Sequence, residues 1–507
     1  MLRVLGSPKR LCSGPTRRDL LQVGGLGLAG LSLEQLLAAT GSGTGASNQA
    51  QASGLASDRA GFGRAKQCIL LYLYGAPSQL ETFDMKPNAP AEIRGTMQPI
   101  PSVLPGLDVC EHLPEISKMT DKITVVRSVS HPYPVHGVAF ATTGIPAIDV
   151  AMELAPSDPR HYPYFGSVVQ YVDQRTGRAR TDLPQNVALP FQFSSQRTGE
   201  VFRAGPYASF LGSSYNPTWT EFQGKATRSV LKTLGANKLD CFDPYLGCSD
   251  DSHFRLSATG ALPDMTVDRL GRRKSLLSQF DEQRRAIDEI AQTRSLSKYQ
   301  DLAFNLLTSS RVADALDVRH EAPETRARYG QTLFGQSCLA ARRMIEAGTR
   351  LVSVFWDEYG LAGDAWDTHW NHFPRMTDQL LPGFDKAFAG LVSDLDDRGM
   401  LDDTLVVVLS DHGRTPKING SVGGGRDHWS QVYSLAFAGG GMARGRVVGA
   451  SDATAATPTD RPVSPKDLLA TMYHLLGINP HDTIPDRDGR QLTIVPETAD
   501  VVGEMLA

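Results

Sequence analysis

Four short, almost wholly apolar stretches limit what this chain can fold into. They are CILLYLYG (68–75), ITVVRSV (123–129), RLVSVFWD (350–357) and TLVVVLS (404–410). Each has the length of one β-strand, and a strand that is apolar on both alternating faces must be covered on both. YSLAFAGGG (433–441) reads as a further strand. Helical patterns fall between them. LFGQSCLAARRMIEAG is a helix closed by Gly348, and a second helix ends at Gly399 with Phe384, Phe388, Leu391 and Leu395 on one face. SPKDLLATMYHLLG (464–477) has Ser464 as N-cap, Pro465 in the first turn and Gly477 after the last. FGSVVQYV (165–172) and the charged segment 266–294 also read as helical. Strands alternating with helices predict an α/β fold, a three-layer αβα sandwich around a mostly parallel central sheet.

The N-terminus reads as a separate piece. Thr16-Arg17-Arg18-Asp19-Leu20-Leu21 resembles a twin-arginine export signal, and an apolar stretch (20–39) follows it. Glu34 and Gln35 interrupt that stretch, so it is a leader and not a stable membrane span. Residues 40–62 have the Ser, Gly and Ala content of a flexible linker. The expected organisation is a leader (1–39), a linker (40–62) and one domain (63–507). Segment 195–263, rich in Ser, Gly, Tyr and Pro, is expected as a lid-like insertion. The expected location is outside the cytoplasm, periplasmic, cell-surface or secreted, with the twin-arginine machinery as an export partner. A net charge of −4 gives no footprint for nucleic acid. Cys241 and Cys248 lie close in one loop and could pair in an oxidising compartment.

Four of the twelve histidines fall in two windows, each after a predicted strand. The first holds Asp364, Asp367, His369 and His372; the second holds Asp411, His412, Asp427 and His428. In open α/β sheets, ligands bind at the carboxyl ends of the strands. Mixed imidazole and carboxylate donors there suit a divalent ion such as Zn or Mn, or Ca or Mg where carboxylates dominate. An Asp-His pair after a strand also serves as a helix cap or salt bridge. Arg414 and Arg426 could clamp an anionic oxygen or pair with a nearby Asp. His131 and His136 follow the second strand; His136 is a candidate ligand or base, and His131 reads better as packing.

SDHGRTPKINGSVGGGRDHW, WDTHWNHF and YGAPSQLETFDMKP together resemble an exported bacterial family of unassigned function, the domain-of-unknown-function family fifteen-oh-one. That family is distantly similar to the alkaline phosphatase and sulfatase superfamily. The resemblance covers about residues 63–495 and implies an alkaline-phosphatase-like fold. It implies metal ligands at Asp367, His369, Asp411, His412 and His428. Two superfamily features do not match. Gly75-Ala76-Pro77 stands where an Asp ligand follows the first strand, and counting back from Thr143-Gly144 to the nucleophile position reaches Pro134. His136 is the nearest reactive group. The expected function is metal-dependent hydrolysis of a phosphate or sulfate ester, on a small molecule or polysaccharide, with His136, Arg414 and Arg426 as catalytic groups. The alternatives are a non-catalytic binder of anionic polysaccharide and a structural cell-envelope protein.

Overall fold

A computed structural model describes residues 60–507 except 137, 146–149, 180–182, 199–202, 235–236, 258–309 and 362–363. The segment expected as an export signal, most of the expected linker and the helical pattern at 266–294 lie outside the described residues. No described helix is long and apolar enough to cross a membrane.

Nine strands form the main sheet: β1 (Gln67–Leu73), β2 (Ile123–Val129), β3 (Asn186–Leu189), β4 (Thr218–Gln223), β5 (His253–Leu256), β6 (Leu351–Trp356), β7 (Thr404–Leu409), β8 (Tyr433–Ala438) and β9 (Arg446–Val448). Their spatial order is β9-β2-β8-β7-β1-β6-β3-β4-β5. Seven run in one direction, whereas β8 and β5 run antiparallel to their neighbours. All residues of β6, β7 and β8 are buried, as are those of β1 after Gln67. Burial at consecutive positions means both sheet faces are covered, as the apolar runs required.

The helices obey their end signals. Phe165–Arg175 is α1. Leu333–Ala347 is α2; Thr332 caps it by accepting from Gly335 N, and Gly348 ends it at φ 106°. Leu381–Asp397 is α3, which packs on α2, and α2 packs in turn on β6 and β1. In α4 (Pro465–Leu475) the N–H and hydroxyl of Ser464 both donate to Asp467, at 3.2 and 2.7 Å.

Segment 195–263 is not simply a lid: β4 and β5 extend the sheet at its edge. Trp219 and Phe222 on β4 pack against the core, in a strand masked in the sequence by the Ser, Gly and Pro around it. A hairpin, Ser229–Leu234 with Asn237–Phe242, also rises from this segment. It is anchored by buried Lys232, which donates to Asp364, to Asp243 (3.0 Å) and to the Tyr359 carbonyl (2.5 Å). Cys241 and Cys248 are unpaired. The hairpin sets Cys241 opposite Val230, while Cys248 bridges to Ala226 and lies 3.8 Å from Gln331 Nε2.

The topology decides where chemistry can collect. β2, β1, β6 and β7 are codirectional, so their exits share one sheet edge. β8 runs the opposite way, so the segment entering it, His428–Trp429, reaches the same edge. A two-residue antiparallel pairing of Gly413 with Trp429 and Arg414 with His428 holds the two ends of that loop together. Gly75, leaving β1 at φ 96°, lies so close to the 366–367 segment that a Cβ on it would sit 2.4 Å from Asp367 N. Only glycine meets both demands. Gly75→Ala should cost about 2–3 kcal/mol of stability through this strain and clash. Urea denaturation would measure it, and an unchanged midpoint would show that the two segments are not so tightly fitted.

Candidate metal centre

Four imidazoles and one carboxylate meet at this edge. His136 follows β2, Asp367 and His369 lie in the loop after β6, His412 follows β7, and His428 precedes β8. His136, His412 and His428 present ring nitrogens within 4.8 Å of one another, and so do the donor atoms of Asp367, His369 and His428. The rings crowd: His136 and His428 centroids are 4.3 Å apart, His412 and His428 4.6 Å, His369 and His428 4.7 Å.

Each imidazole is oriented by an oxygen behind it. Nδ1 of His136 is 2.8 Å from Asp411 Oδ2, and Nδ1 of His369 is 2.7 Å from Asp427 Oδ1. Nδ1 of His412 is 2.7 Å from the Gly413 carbonyl, and Nδ1 of His428 is 3.1 Å from the Pro134 carbonyl. Carbonyls and ionised carboxylates only accept, so each Nδ1 carries the proton and donates. In the neutral rings this leaves the Nε2 lone pairs facing inward. The Nε2 atoms of His136, His412 and His428 are buried and make no hydrogen bond. Those of His136, His369 and His428 face Asp367, at 3.2, 3.1 and 3.4 Å. Where these nitrogens carry no second proton, acceptors turned toward the Asp367 carboxylate repel unless a cation lies among them. Imidazoles whose outer nitrogen donates to a carbonyl or carboxylate are the usual form of metal-ligating histidine.

The electrostatics point the same way. Burial lowers the proton affinity of His412 well below the ordinary imidazole range, and the charges of His428, His136 and Arg414 lower it further. His428 is lowered too, chiefly by burial. Burial acts against ionisation of Asp367, but the positive charges of Arg414 and His136 hold its carboxyl well below the usual range. His136 behaves oppositely. Burial disfavours its cation, yet Asp367 and Asp411 on either side push it up to about 10.

Several residues named from the sequence have other partners. Asp411 does not face the cluster. Its Oδ1 accepts from the Tyr72 hydroxyl, and its Oδ2 faces His136 and lies 3.3 Å from Gly75 N, so it orients His136. Arg414 is fully buried; it donates to Asp367 Oδ1 (2.5 Å) and to the carbonyls of Ala76 (3.0 Å), Arg426 (3.1 Å), Trp366 (3.3 Å) and Gly75. Arg426 lies apart from the donors, bonded to Glu81 (2.6 Å) and to the carbonyls of Ile93 (2.7 Å), Thr415 (3.0 Å) and Pro416. Both guanidiniums are spent on internal acceptors, so neither is placed to clamp an ester oxygen. His372 belongs with Glu81 and Thr368, at 3.3 and 2.7 Å. His131 is structural: it accepts from Tyr133 N and donates through Nε2 to the Asp411 carbonyl, and burial lowers it to about 4. Tyr72 gave no sign in the sequence, because it sits inside an apolar run.

A family described as "Protein of unknown function (DUF1501)" matches residues 65–506. Solved structures that resemble the chain include a sulfatase from Pseudoalteromonas sp., with TM-score 0.34 and 12% identity over 85% of this chain and 72% of that one. They include a protein in the alkaline phosphatase superfamily from Vibrio parahaemolyticus (TM-score 0.33, 11% identity, 86% and 76%). A phosphonate monoester hydrolase of Agrobacterium radiobacter is similar at TM-score 0.35 and 11% identity, over 85% and 78%. No curated protein matches the sequence.

The pH response of the metal-free protein tests this electrostatic picture. His136 is raised from an unfolded value of about 6.5, so its stabilising contribution is complete below that pH and is lost as pH rises toward about 10. In chelator, the thermal midpoint should fall over that interval, and His136→Gln should remove the His136 part of the fall. Identical pH profiles for the two proteins would contradict the placement of His136 between Asp367 and Asp411.

Proposed function

The chain belongs to the DUF1501 family, and from its donor cluster we propose that it holds a divalent metal and hydrolyses a phosphate or sulfate ester outside the cytoplasm. One observation carries the metal: three buried Nε2 atoms converge on one another, those of His136 and His428 facing Asp367, each ring anchored by an oxygen behind it. Four imidazoles to one carboxylate suit Zn or Mn better than Ca or Mg.

His136, His369, His412, His428 and Asp367 would hold the divalent ion, which would supply activation of water and polarisation of an ester oxygen. The protein's own part is to hold the donors still and keep them dry. Asp411 and Tyr72 fix His136, Asp427 fixes His369, and Arg414 fixes Asp367. In this reading water is the attacking group. The substrate would be a small-molecule or polysaccharide ester. Export would follow the twin-arginine signal at Thr16–Leu21, with metal loaded into the folded protein beforehand.

The internal commitment of Arg414 and Arg426 favours a second reading, a metal-holding protein that binds an anionic polysaccharide without turning it over. Aryl phosphate and aryl sulfate esters distinguish the two. Metal-loaded protein should hydrolyse at least one class, chelation should abolish this, and His412→Ala should lower turnover by about 100-fold or more, no less than loss of a supporting partner costs. Equal turnover by wild type and His412→Ala would sink the hydrolase. A metal-loaded protein inert toward both ester classes would favour the binding protein.

A further inference from the structure

A second concave place lies beyond the donor cluster. β3 is parallel to β6, so its exit reaches the same sheet edge, and Gln192 lies just past it. A cavity of about 500 Å³ opens there, between Gln192, residues 156–158, the loop leading into β4, and Arg487. The volume suits a ligand, but the lining is not the mostly apolar one of a typical small-molecule pocket. Ser209, Ser213 and Asn216 line it with Gln192 and Arg487, and the ring of Tyr207 gives it one flat apolar surface. Several of these groups keep hydrogen-bonding capacity. Asn216 Oδ1 accepts from Ala208 N (2.7 Å), which leaves its amide NH2 to donate. The Ser209 hydroxyl donates to the His161 carbonyl and keeps its lone pairs. Asp486 and Asp488 both pair with Arg490, so Arg487 between them has no ion pair among the described residues. Tyr207 is held in place: its carbonyl accepts from Tyr164 N (3.0 Å), its hydroxyl meets the Gln192 side chain, and its ring lies 6.4 Å from that of Trp219.

Packed rings connect this cavity to the donor cluster. Gly205, close before Tyr207, lies against Phe193, where a Cβ would sit 2.8 Å from the ring. Phe193 is 5.5 Å from Tyr74, and Tyr74 is 5.1 Å from His136, centroid to centroid. Two rings and a stretch of backbone therefore separate the two places, more than one sugar ring spans. We propose that the cavity binds a sugar unit of a chain whose ester lies at the donor cluster, so that the substrate is an oligo- or polysaccharide and not a small molecule. A sugar presents hydroxyls, which donate and accept, and a ring face made of C–H groups. Asn216, Gln192 and the serines match the hydroxyls, and the Tyr207 ring matches the C–H face. Arg487 accommodates an anionic group on the same unit. Most of the lining comes from the segment expected as a lid, and none of it belongs to the donor cluster.

This inference rests on the ester-hydrolase reading and narrows its substrate, and the test separates the two. Full-length protein, kept in chelator so that metal plays no part, is titrated calorimetrically with hexasaccharides of sulfated galactan, sulfated fucan and glycosaminoglycan. At least one should bind. Tyr207→Ala should weaken that binding by about 10-fold, as loss of a central aromatic contact does. Gln192→Ala should weaken it as well. Circular dichroism confirms that each variant is folded; the Gln192 side chain is exposed, so that variant carries the test should Tyr207→Ala not fold. Binding of no hexasaccharide, or equal binding by wild type and the folded variants, would overturn the subsite. Turnover of aryl esters by a protein that binds no saccharide would overturn it while leaving the hydrolase standing. Saccharide binding that depends on Tyr207 or Gln192, in a protein inert toward every ester, would uphold the subsite and sink the hydrolase.

Discussion

The guanidinium of Arg414 ties together the loops on which the donor cluster depends. From a fully buried position it bonds to backbone after β1, to the loop after β6 and to the 426 end of its own hairpin, and it meets the carboxylate of Asp367. A charge buried this deeply persists only when paired and hydrogen-bonded on every side, and breaking such a pair typically costs about 3–5 kcal/mol. The loops therefore hold one geometry or lose all of these bonds together. Asp367 is fixed by this pair, and three imidazoles are arranged around Asp367.

The same logic repeats one layer out. Every ring in the cluster has its outer nitrogen on an oxygen, and for His136, His369 and His428 that oxygen (of Asp411, Asp427 and Pro134) comes from another segment, whereas His412 uses the neighbouring Gly413 carbonyl. The fold supplies these oxygens because its strand exits crowd onto one edge. Gly75 permits the closest approach, where a side chain would collide with the backbone of Asp367. The buried ion pair is a cost that a purely structural sheet edge has no need to bear.

Much of the fold is legible in the sequence because apolar runs and end signals are local. The strands at 68–75, 123–129, 350–357 and 404–410, and the helices with Gly348 and Ser464 at their ends, follow from spacing alone. The reversed direction of β8 does not, because a buried strand reads the same either way. The edge strands β4 and β5 hide among Ser, Gly and Pro. At the site, residue type announced the histidines and Asp367, but partners were invisible. Asp411 resembles a ligand until Tyr72, from a strand more than three hundred residues earlier, is seen to hold it. Arg414 and Arg426 resemble anion clamps until their carbonyl acceptors are counted, and these acceptors come from segments far apart in the chain.

The central claim is that the inward nitrogens of His136, His369, His412 and His428 surround a place for divalent metal beside Asp367. Anomalous diffraction from crystals grown with Mn or Zn tests it most directly. The account predicts anomalous density within bonding distance of these nitrogens and of Asp367. A well-ordered cluster with no anomalous density, or density bound only elsewhere on the protein, would contradict it.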